Sequence, residues 1–300
     1  MPAATDSLHP LTLDPDCELV IAMDTLVDGV HFPVATPPAD VGFKALAVNL
    51  SDLAAMGATP LAARVSVTHP DDGGDHGRRW LAAFEQGMGV LARRLGVDTG
   101  HPLTARGPLC VTVEALGSVP RGMALGRAGA APGDRILVTG TLGDAGLALA
   151  GDSAAMTKAA RAFLQARLAR PEPRVAAGIA LRGLASAVID ISDGLAADLG
   201  HILTASGRGA RLMVDDLPLS RVLAEELPRE RAWQLALSSG DDYELCFTVP
   251  PQALAEAGQG LQSLDCGVTP IGTVTAGAGL QCLRADGSCF APPPGYRHFP

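Results

Sequence analysis

Acidic residues stand near the ends of several predicted strands and helices. The set is Asp24, Asp52, Asp190, Asp193, Asp241 and Asp242. A hard cation such as Mg²⁺ takes oxygen ligands, usually a few carboxylates completed by phosphate and water. Carboxylates at several element ends can converge on such an ion, so the pattern predicts metal-assisted chemistry on a phosphorylated ligand.

The segment AVIDISDGLAADL is the most informative of these places. An apolar strand runs into a tight turn and then a helix, which crowds Asp190, Ser192 and Asp193 at the helix N-terminus. Helix N-termini attract anions, and two extra carboxylates favour a cation that carries phosphate. The same pattern is also typical of an N-cap formed by Ser192 or Asp193, and the segment alone leaves both interpretations open.

The first third of the chain contains two more of these acidic residues. Residues 18–23 (ELVIAM) predict a buried strand that delivers Asp24 at its C-terminal end. Residues 38–58 predict a helix on which Asp52 lies next to an apolar stripe. Asp52 is either a solvated helix acid or a buried carboxylate that needs a partner such as a metal ion.

Two other positions have a structural and a functional interpretation. Asp241 and its neighbour Asp242 precede a predicted strand, which is also compatible with a simple hairpin turn. His31 follows the first acidic strand and could donate to a phosphate, although a lone histidine is often structural. The stretch VTGTLGDAG resembles a phosphate-binding loop superficially but matches neither common glycine-rich motif.

Alternating strands and helices must position these residues. The predicted strands cover residues 62–68, 109–118, 135–139, 186–190, 211–214, 244–249, 269–276 and 280–283. Predicted helices cover 78–95, 143–151, parts of 154–168 and 174–185, 194–206, 220–227 and 231–237. The Gly- and Pro-rich segment 121–134 separates two α/β halves, so we predict domains at 1–125 and 126–300.

Composition and charge narrow the class of protein. A hydrophobic fraction of 47% over 300 residues supports a sizeable core, so a globular α/β protein is expected. A formal net charge of -9 without a basic stripe argues against a nucleic-acid partner. The six cysteines form no CxxC pair, and no long apolar segment or signal-like N-terminus stands out, so a cytoplasmic protein without membrane association is expected.

Six strings in order along the chain carry a resemblance to a known family. They are MDTLVDGVHF, FKALAVNLSDLAAMGA, GRAGAAPGD, VTGTLGDAGLAL, DISDGLAADLGHI and SGDDYELCFTVP. Together they resemble the thiamine-monophosphate kinases from about Asp6 to Tyr296. The resemblance implies transfer of the γ-phosphoryl group of ATP to thiamine monophosphate, giving thiamine diphosphate and ADP. It also implies the fold of aminoimidazole ribonucleotide synthetase, with an N-terminal α/β domain that dimerises through its sheet and a C-terminal α/β domain.

Residue roles follow from the same resemblance. It implies several Mg²⁺ ions, a homodimer, and ATP and thiamine monophosphate as substrates, with no protein nucleophile. The implied metal ligands are Asp6, Asp24, Asp52, Asp190 and Asp193. Ser192 and Arg127 are implied ATP contacts, and His31 and Asp241 are implied substrate contacts.

The chain departs from the family's pattern at several positions. Family members usually begin with a longer segment and a Gly-Asp-Asp motif, where this chain has Asp6 followed by Ser7. Leu103 stands where a metal-binding Asp of a Gly-Gly-Asp-Thr-Thr motif belongs, and Asp98 could replace it only through a loop shift. Met23 replaces a usual Thr, and Pro293 replaces a usual aromatic residue.

Three functions are compatible with these departures. We favour an active thiamine-monophosphate kinase, because most of the implied acidic positions are present. The alternatives are a related kinase with a different acceptor and a nucleotide-binding paralogue with impaired catalysis, which Leu103 would favour. Aminoimidazole ribonucleotide synthetase and hydrogenase-maturation relatives share the fold, but SDLAAMGA together with SGDDYELCF points away from them.

Overall fold

The chain divides into two structural units. The computed structural model describes residues 11–70, 74–151, 156–264 and 266–295. One unit comprises Met1–Leu53 and Ala58–Gly122, and the other comprises Ala54–Gly57 and Met123–Pro300. Asp6, an implied metal ligand, lies outside the described residues.

A mixed sheet forms the centre of the first unit. Its elements are β1 (Cys17–Val27), α1 (Pro38–Ala55), β2 (Thr59–His69), α2 (Asp75–Leu95), β3 (Leu103–Arg106) and β4 (Cys110–Pro120). Within the described residues the strand order is β1-β4-β2-β3, with β2 and β3 parallel and the other pairs antiparallel. Strand β1 is therefore one edge of this sheet in the described part of the chain.

Helices α1 and α2 pack against each other through glycines. Residues 41–50 of α1 are all buried, as an Ala-, Leu- and Val-rich sequence favours. A Cβ on Gly42 would lie 2.1 Å from the Phe84 carbonyl oxygen, and one on Gly87 would lie 1.8 Å from the Ala39 carbonyl oxygen. Only glycine permits this backbone approach, which buries α1 against α2.

The two faces of the first sheet differ. On one face, Val20 and Leu26 of β1 and the valines of β2 and β4 are buried. Period-two alternation places Leu19, Ile21 and Met23 of β1 on the other face, where they are exposed by 44%, 55% and 67%. This apolar row contrasts with the ordinary pattern of a polar outer face.

A larger mixed sheet organises the second unit. Its strands are β5 (Arg135–Thr139), β6 (Ala187–Asp190), β7 (Gly209–Met213), β8 (Leu245–Val249), β9 (Val268–Thr275), β10 (Gly279–Leu283) and β11 (Cys289–Phe290). Its helices are α3 (Asp144–Ala150), α4 (Lys158–Ala169), α5 (Val175–Ala180), α6 (Leu195–Ser206), α7 (Arg221–Glu226), α8 (Arg229–Ser238) and α9 (Leu254–Gln262). Among the described residues the strand order is β11-β10-β7-β9-β5-β8-β6.

The predicted α/β class with mixed sheets is confirmed, and several local predictions are wrong. Strand β1 continues to Val27, so Asp24 lies within the strand and not at its end. The helix predicted over 38–58 ends at Ala55. Strand β3, helix α9 and strand β11 were not predicted, and none of the described helices is long and apolar enough to cross a membrane.

Candidate functional site

The turn after β6 holds three of the implied site residues. Asp190 is the buried last residue of β6, whereas Ser192 is exposed and Asp193 is half-buried. The backbone N–H groups of Ser192 and Asp193 both donate to Asp198 Oδ2, each at 3.0 Å. The N-cap of α6 is Gly194, without a side-chain cap, so the interpretation of Ser192 or Asp193 as the N-cap is wrong.

Asp198 completes this acidic turn from the first turn of α6. Burial is the main cause that raises the pKa of Asp198 to about 7, and the charges of Asp190 and Asp193 act in the same direction, against the backbone hydrogen bonds that lower it. The negative electrostatic field of these neighbouring carboxylates favours a bound cation. Sequence reasoning did not single out Asp198, although its position five and six residues after the N–H groups that it accepts could have suggested it.

Asp241 lies directly against the same turn. The N–H of Asp241 donates to the Ser192 carbonyl oxygen at 2.9 Å, and the N–H of Tyr243 donates to the Ile191 carbonyl oxygen at 2.8 Å. A Cβ on Gly240 would lie 2.2 Å from the Ser192 carbonyl oxygen, so only glycine permits the contact. The structure therefore brings Asp241 next to Ser192.

The segment around Asp241 is not a hairpin turn. It connects α8 to β8, and the strand pairs of β8 are β5 and β6. Gly240, Asp241 and Tyr243 have φ values of 69°, 63° and 51°, which are uncommon for residues with a side chain. Non-glycine residues in such conformations cluster at functional sites. Along this segment half-buried and buried residues alternate, so Asp241 is partly exposed whereas Asp242 is buried.

Arg127 lies on an exposed segment beside β6. The Val188 N–H donates to the Gly126 carbonyl oxygen at 2.8 Å. The Ser206 hydroxyl, at the end of α6, accepts from the N–H groups of Gly129 and Ala130 at 3.2 Å and 3.1 Å. These bonds fix the backbone of the segment and leave the Arg127 side chain exposed.

In the first unit, Asn49 connects the helix and the strand that carry two implied metal ligands. The Asp24 N–H donates to Asn49 Oδ1 at 3.1 Å, and Asn49 Nδ2 donates to the Ala45 carbonyl oxygen at 3.0 Å. Asp52 follows Asn49 by three residues and therefore lies on the same face of α1. The inner face of β1 and this face of α1 thus present Asp24 and Asp52.

His31 is held by the end of β1. The Val27 N–H donates to His31 Nδ1 at 3.0 Å, and the His31 N–H donates to the Val27 carbonyl oxygen at 2.9 Å. Because Nδ1 accepts, the neutral ring carries its hydrogen on Nε2. His31 can therefore present an N–H donor to an anionic group.

The donor chemistry of the acids fits magnesium. Within the described residues no three His, Cys, Asp or Glu side chains form a ready-made metal cluster. Mg²⁺ is commonly bound by one or two carboxylates together with waters and substrate phosphates, and it rarely has an all-protein cage. The Asp190–Asp193 turn, with its concentrated negative charge, matches that mode.

Asp98 and Leu103 lie at the position where the implied family motif is altered. Arg64 Nη2 pairs with Asp98 Oδ2 at 3.3 Å, and the Gly100 N–H donates to Asp98 Oδ1 at 3.2 Å. The Asp98 carboxylate thus pairs with Arg64 of β2 and with the backbone of its own loop. Leu103 begins β3, where it pairs with Ser66 and is 61% exposed.

Comparison with known proteins assigns the fold and the family. The model of the AIR synthase related protein N-terminal domain matches residues 6–119, and the model of its C-terminal domain matches residues 131–283. The chain therefore belongs to the AIR synthase-related proteins.

Within that class the chain is similar to several thiamine-monophosphate kinases. The thiamine-monophosphate kinase of Escherichia coli (strain K12) is 45% identical over 285 residues, which cover 94% of this chain and 86% of that protein. The crystal structure of thiamine-monophosphate kinase from Stenotrophomonas maltophilia K279a is 42% identical with a TM-score of 0.87, covering 93% of this chain and 89% of that one. The structure of AaThiL complexed with AMPPCP and TMP is 30% identical with a TM-score of 0.82, covering 96% and 89%. This chain belongs to the thiamine-monophosphate kinase family.

Proposed function

We propose that the protein transfers the γ-phosphoryl group of ATP to thiamine monophosphate, giving thiamine diphosphate and ADP, in thiamine diphosphate biosynthesis. The observation that carries the proposal is the contact of Asp241 with the Ser192–Asp193 turn, in a chain of this family. That contact joins an implied acceptor residue to implied ATP and metal residues. Relatives of 45% identity over nearly the whole chain favour this function over the impaired paralogue and over a different acceptor.

Phosphoryl transfer of this kind needs positioning and charge neutralisation, and it needs no protein nucleophile. The proposed ligands of the several Mg²⁺ ions are Asp24 and Asp52 in the first unit and Asp190 and Asp193 in the second, with Asp6 as a further candidate outside the described residues. When bound, the metal neutralises charge on the phosphate oxygens.

The remaining residues bind and orient the two substrates. Ser192, which is exposed at the acidic turn, contacts ATP, as does Arg127, whose exposed guanidinium can pair with phosphate oxygens. Asp241 and His31 contact thiamine monophosphate, with the Nε2–H of His31 as the donor.

Two substitutions of His31 separate its two hydrogen-bonding atoms. His31→Asn keeps an acceptor near the Nδ1 position but removes the Nε2–H donor, whereas His31→Gln keeps a distal N–H donor. Loss of a hydrogen bond to a charged group, worth about 1.5–3 kcal/mol, lowers kcat/KM for thiamine monophosphate roughly 10- to 10²-fold in His31→Asn. We expect His31→Gln to retain more activity in steady-state kinetics, and the opposite order would mean that His31 only tethers Val27.

A substitution at Leu103 tests whether the lack of the family's Asp at this position has weakened Mg²⁺ binding. If an Asp is missing there, Leu103→Asp lowers the Mg²⁺ concentration for half-maximal rate by up to about tenfold, which corresponds to 1.4 kcal/mol. Leu103→Asn is the matched control, because it is polar but adds no charge. A Mg²⁺ titration that is identical for wild type and Leu103→Asp would show that another group fills this role.

We further propose a homodimer formed through the exposed face of the first sheet. The support is the row of Leu19, Ile21 and Met23, which is contiguous with Leu116 of the neighbouring strand β4 through the Ile21–Leu116 pair. Apolar rows of this kind commonly mark an interface, and two-fold pairing of one face on itself is the commonest arrangement. The cytoplasm, where ATP is available, is the proposed location.

The experiment for the proposed activity follows product formation directly. Purified protein is incubated with Mg·ATP, with and without thiamine monophosphate, and thiamine diphosphate is quantified by chromatography. We expect thiamine diphosphate only when both substrates and Mg²⁺ are present. Chelation of Mg²⁺ is expected to stop the reaction reversibly.

A further inference from the structure

A buried charge cluster lies in the second unit behind the Asp241 segment. Glu244 is fully buried, and its carboxylate accepts from Arg174 Nε and Nη2, both at 2.6 Å. It also accepts from Arg167 Nη2 at 3.0 Å and from the Thr139 hydroxyl at 2.7 Å. The Arg174 pair is bidentate, which is the strongest and most directional form of an ion pair in proteins.

This cluster connects the Asp241 segment to the turn between β5 and α3. The Thr139 hydroxyl accepts from the Leu245 N–H at 2.9 Å, and Arg167 Nη2 donates to the Thr141 carbonyl oxygen at 2.9 Å. The Gly143 N–H donates to both carboxylate oxygens of Asp242, at 2.9 Å and 3.1 Å. Asp242 and Glu244, the residues on both sides of Tyr243, are thus held by these buried contacts.

Charge balance makes the Arg174–Glu244 pair the centre of the cluster. Burial lowers the pKa of Arg174, but the hydrogen bonds and charge of Glu244 outweigh it, so the pKa is raised. Burial raises the pKa of Asp242 well above its usual value, and the charges of Asp144 and Glu244 add to that effect. Replacing Arg174 removes the bidentate pairing and leaves Glu244 with Arg167, whereas replacing Glu244 leaves the Arg174 guanidinium without this carboxylate.

The segment that this cluster supports is conformationally unfavourable by itself. Asp241 and Tyr243 have positive φ values, and such residues keep that conformation only when their surroundings enforce it. Asp242 and Glu244, the buried residues that alternate with them, are the ones that the cluster holds. The ion pair therefore acts on the geometry of Asp241.

We propose that Glu244 and Arg174 are positioning residues of the kinase reaction: their buried ion pair fixes the Gly240–Tyr243 segment and thereby the orientation of Asp241 toward the acceptor substrate. This inference rests on the proposed function, because it assumes that Asp241 contacts thiamine monophosphate. The Ser192–Asp193 turn has its own support from Asp198. Loss of the ion pair therefore affects the acceptor substrate more than Mg·ATP.

The test compares Arg174→Lys, Glu244→Gln and a control at another buried acid of the same unit. Arg174→Lys keeps the positive charge but loses the bidentate geometry, and Glu244→Gln removes the negative charge at similar shape. Asp134→Asn is the control, because Asp134 is buried at the opposite end of β5, where it accepts from the Ala131 N–H and the Ser186 hydroxyl. Each variant is measured for its thermal midpoint, its Mg·ATP affinity, and kcat and KM for thiamine monophosphate.

We expect Arg174→Lys to remain folded, to bind Mg·ATP like wild type, and to lose about 10²-fold in kcat/KM for thiamine monophosphate, the size of effect that a small misplacement causes. Glu244→Gln should lose at least as much, and if it does not fold, Arg174→Lys decides the question. Asp134→Asn should lose thermal stability without this kinetic defect.

Two outcomes would overturn the inference. Either the Arg174→Lys defect is absent, or it follows the loss of thermal stability in the same way as in Asp134→Asn. Wild-type protein without thiamine-monophosphate phosphorylation would instead contradict the proposed function, and this result is separate because it needs no variant.

Discussion

Asp190→Asn and Asp193→Asn are each expected to abolish most Mg²⁺-dependent turnover while the protein remains folded. Each substitution removes one negative charge at nearly constant shape from the turn between β6 and α6. A metal that neutralises phosphate charge contributes several kcal/mol to the transition state, so losing a ligand should lower kcat by at least about 10²-fold. The measurement is kcat over a range of Mg²⁺ concentrations, with circular dichroism to check the fold.

The control for these variants is Asp134→Asn, which removes the charge of a buried carboxylate elsewhere in the same unit. It should keep the Mg²⁺ dependence of the wild type. If turnover is unchanged in both Asp190→Asn and Asp193→Asn, this turn does not bind the metal.

Ile21→Asp is expected to convert the proposed homodimer to a monomer. The substitution places a carboxylate in the middle of the apolar row on β1, where Ile21 is paired with Leu116 of β4. Two-fold symmetry introduces the charge twice, and each buried unsatisfied group costs about 1–3 kcal/mol or more, so the dissociation constant of the dimer should rise by at least about 30-fold. Sedimentation velocity over a concentration series measures this directly.

The matched control is Leu149→Asp. Leu149 lies on α3 in the second unit and is 49% exposed. It adds the same charge to a similarly exposed position and should leave the oligomeric state unchanged. A wild-type protein that sediments as a monomer at all concentrations, or an Ile21→Asp protein that remains a dimer, would refute the interface on this face.

Local sequence patterns predicted most elements that position the site. The predicted bounds of β5 agree with the structure, and those of β6 and α6 differ only at the first residue, by one position, because apolar runs there are bounded by Ser, Asp and Gly. The bounds of β1 were wrong because Thr25, Leu26 and Val27 continue the strand beyond Asp24. Strand β3 is short and exposed, so it has no apolar alternation that a pattern could detect.

The supporting contacts of the site could not be predicted, because they join distant parts of the chain. Glu244 and Arg174 are separated by 70 residues, and nothing near either residue reveals the other. Tyr243, a non-glycine residue with positive φ, likewise depends on tertiary contacts that propensity does not include. Sequence motifs therefore indicated which side chains could do chemistry, while the groups that hold them in place required the structure.

The most direct test of the central claim is a coupled assay of ADP release by purified protein with Mg·ATP, with and without thiamine monophosphate, combined with identification of the product. The account predicts ADP release that depends on thiamine monophosphate and matches thiamine diphosphate in amount. Nucleotide binding without turnover, or ADP release that is indifferent to thiamine monophosphate, would contradict it.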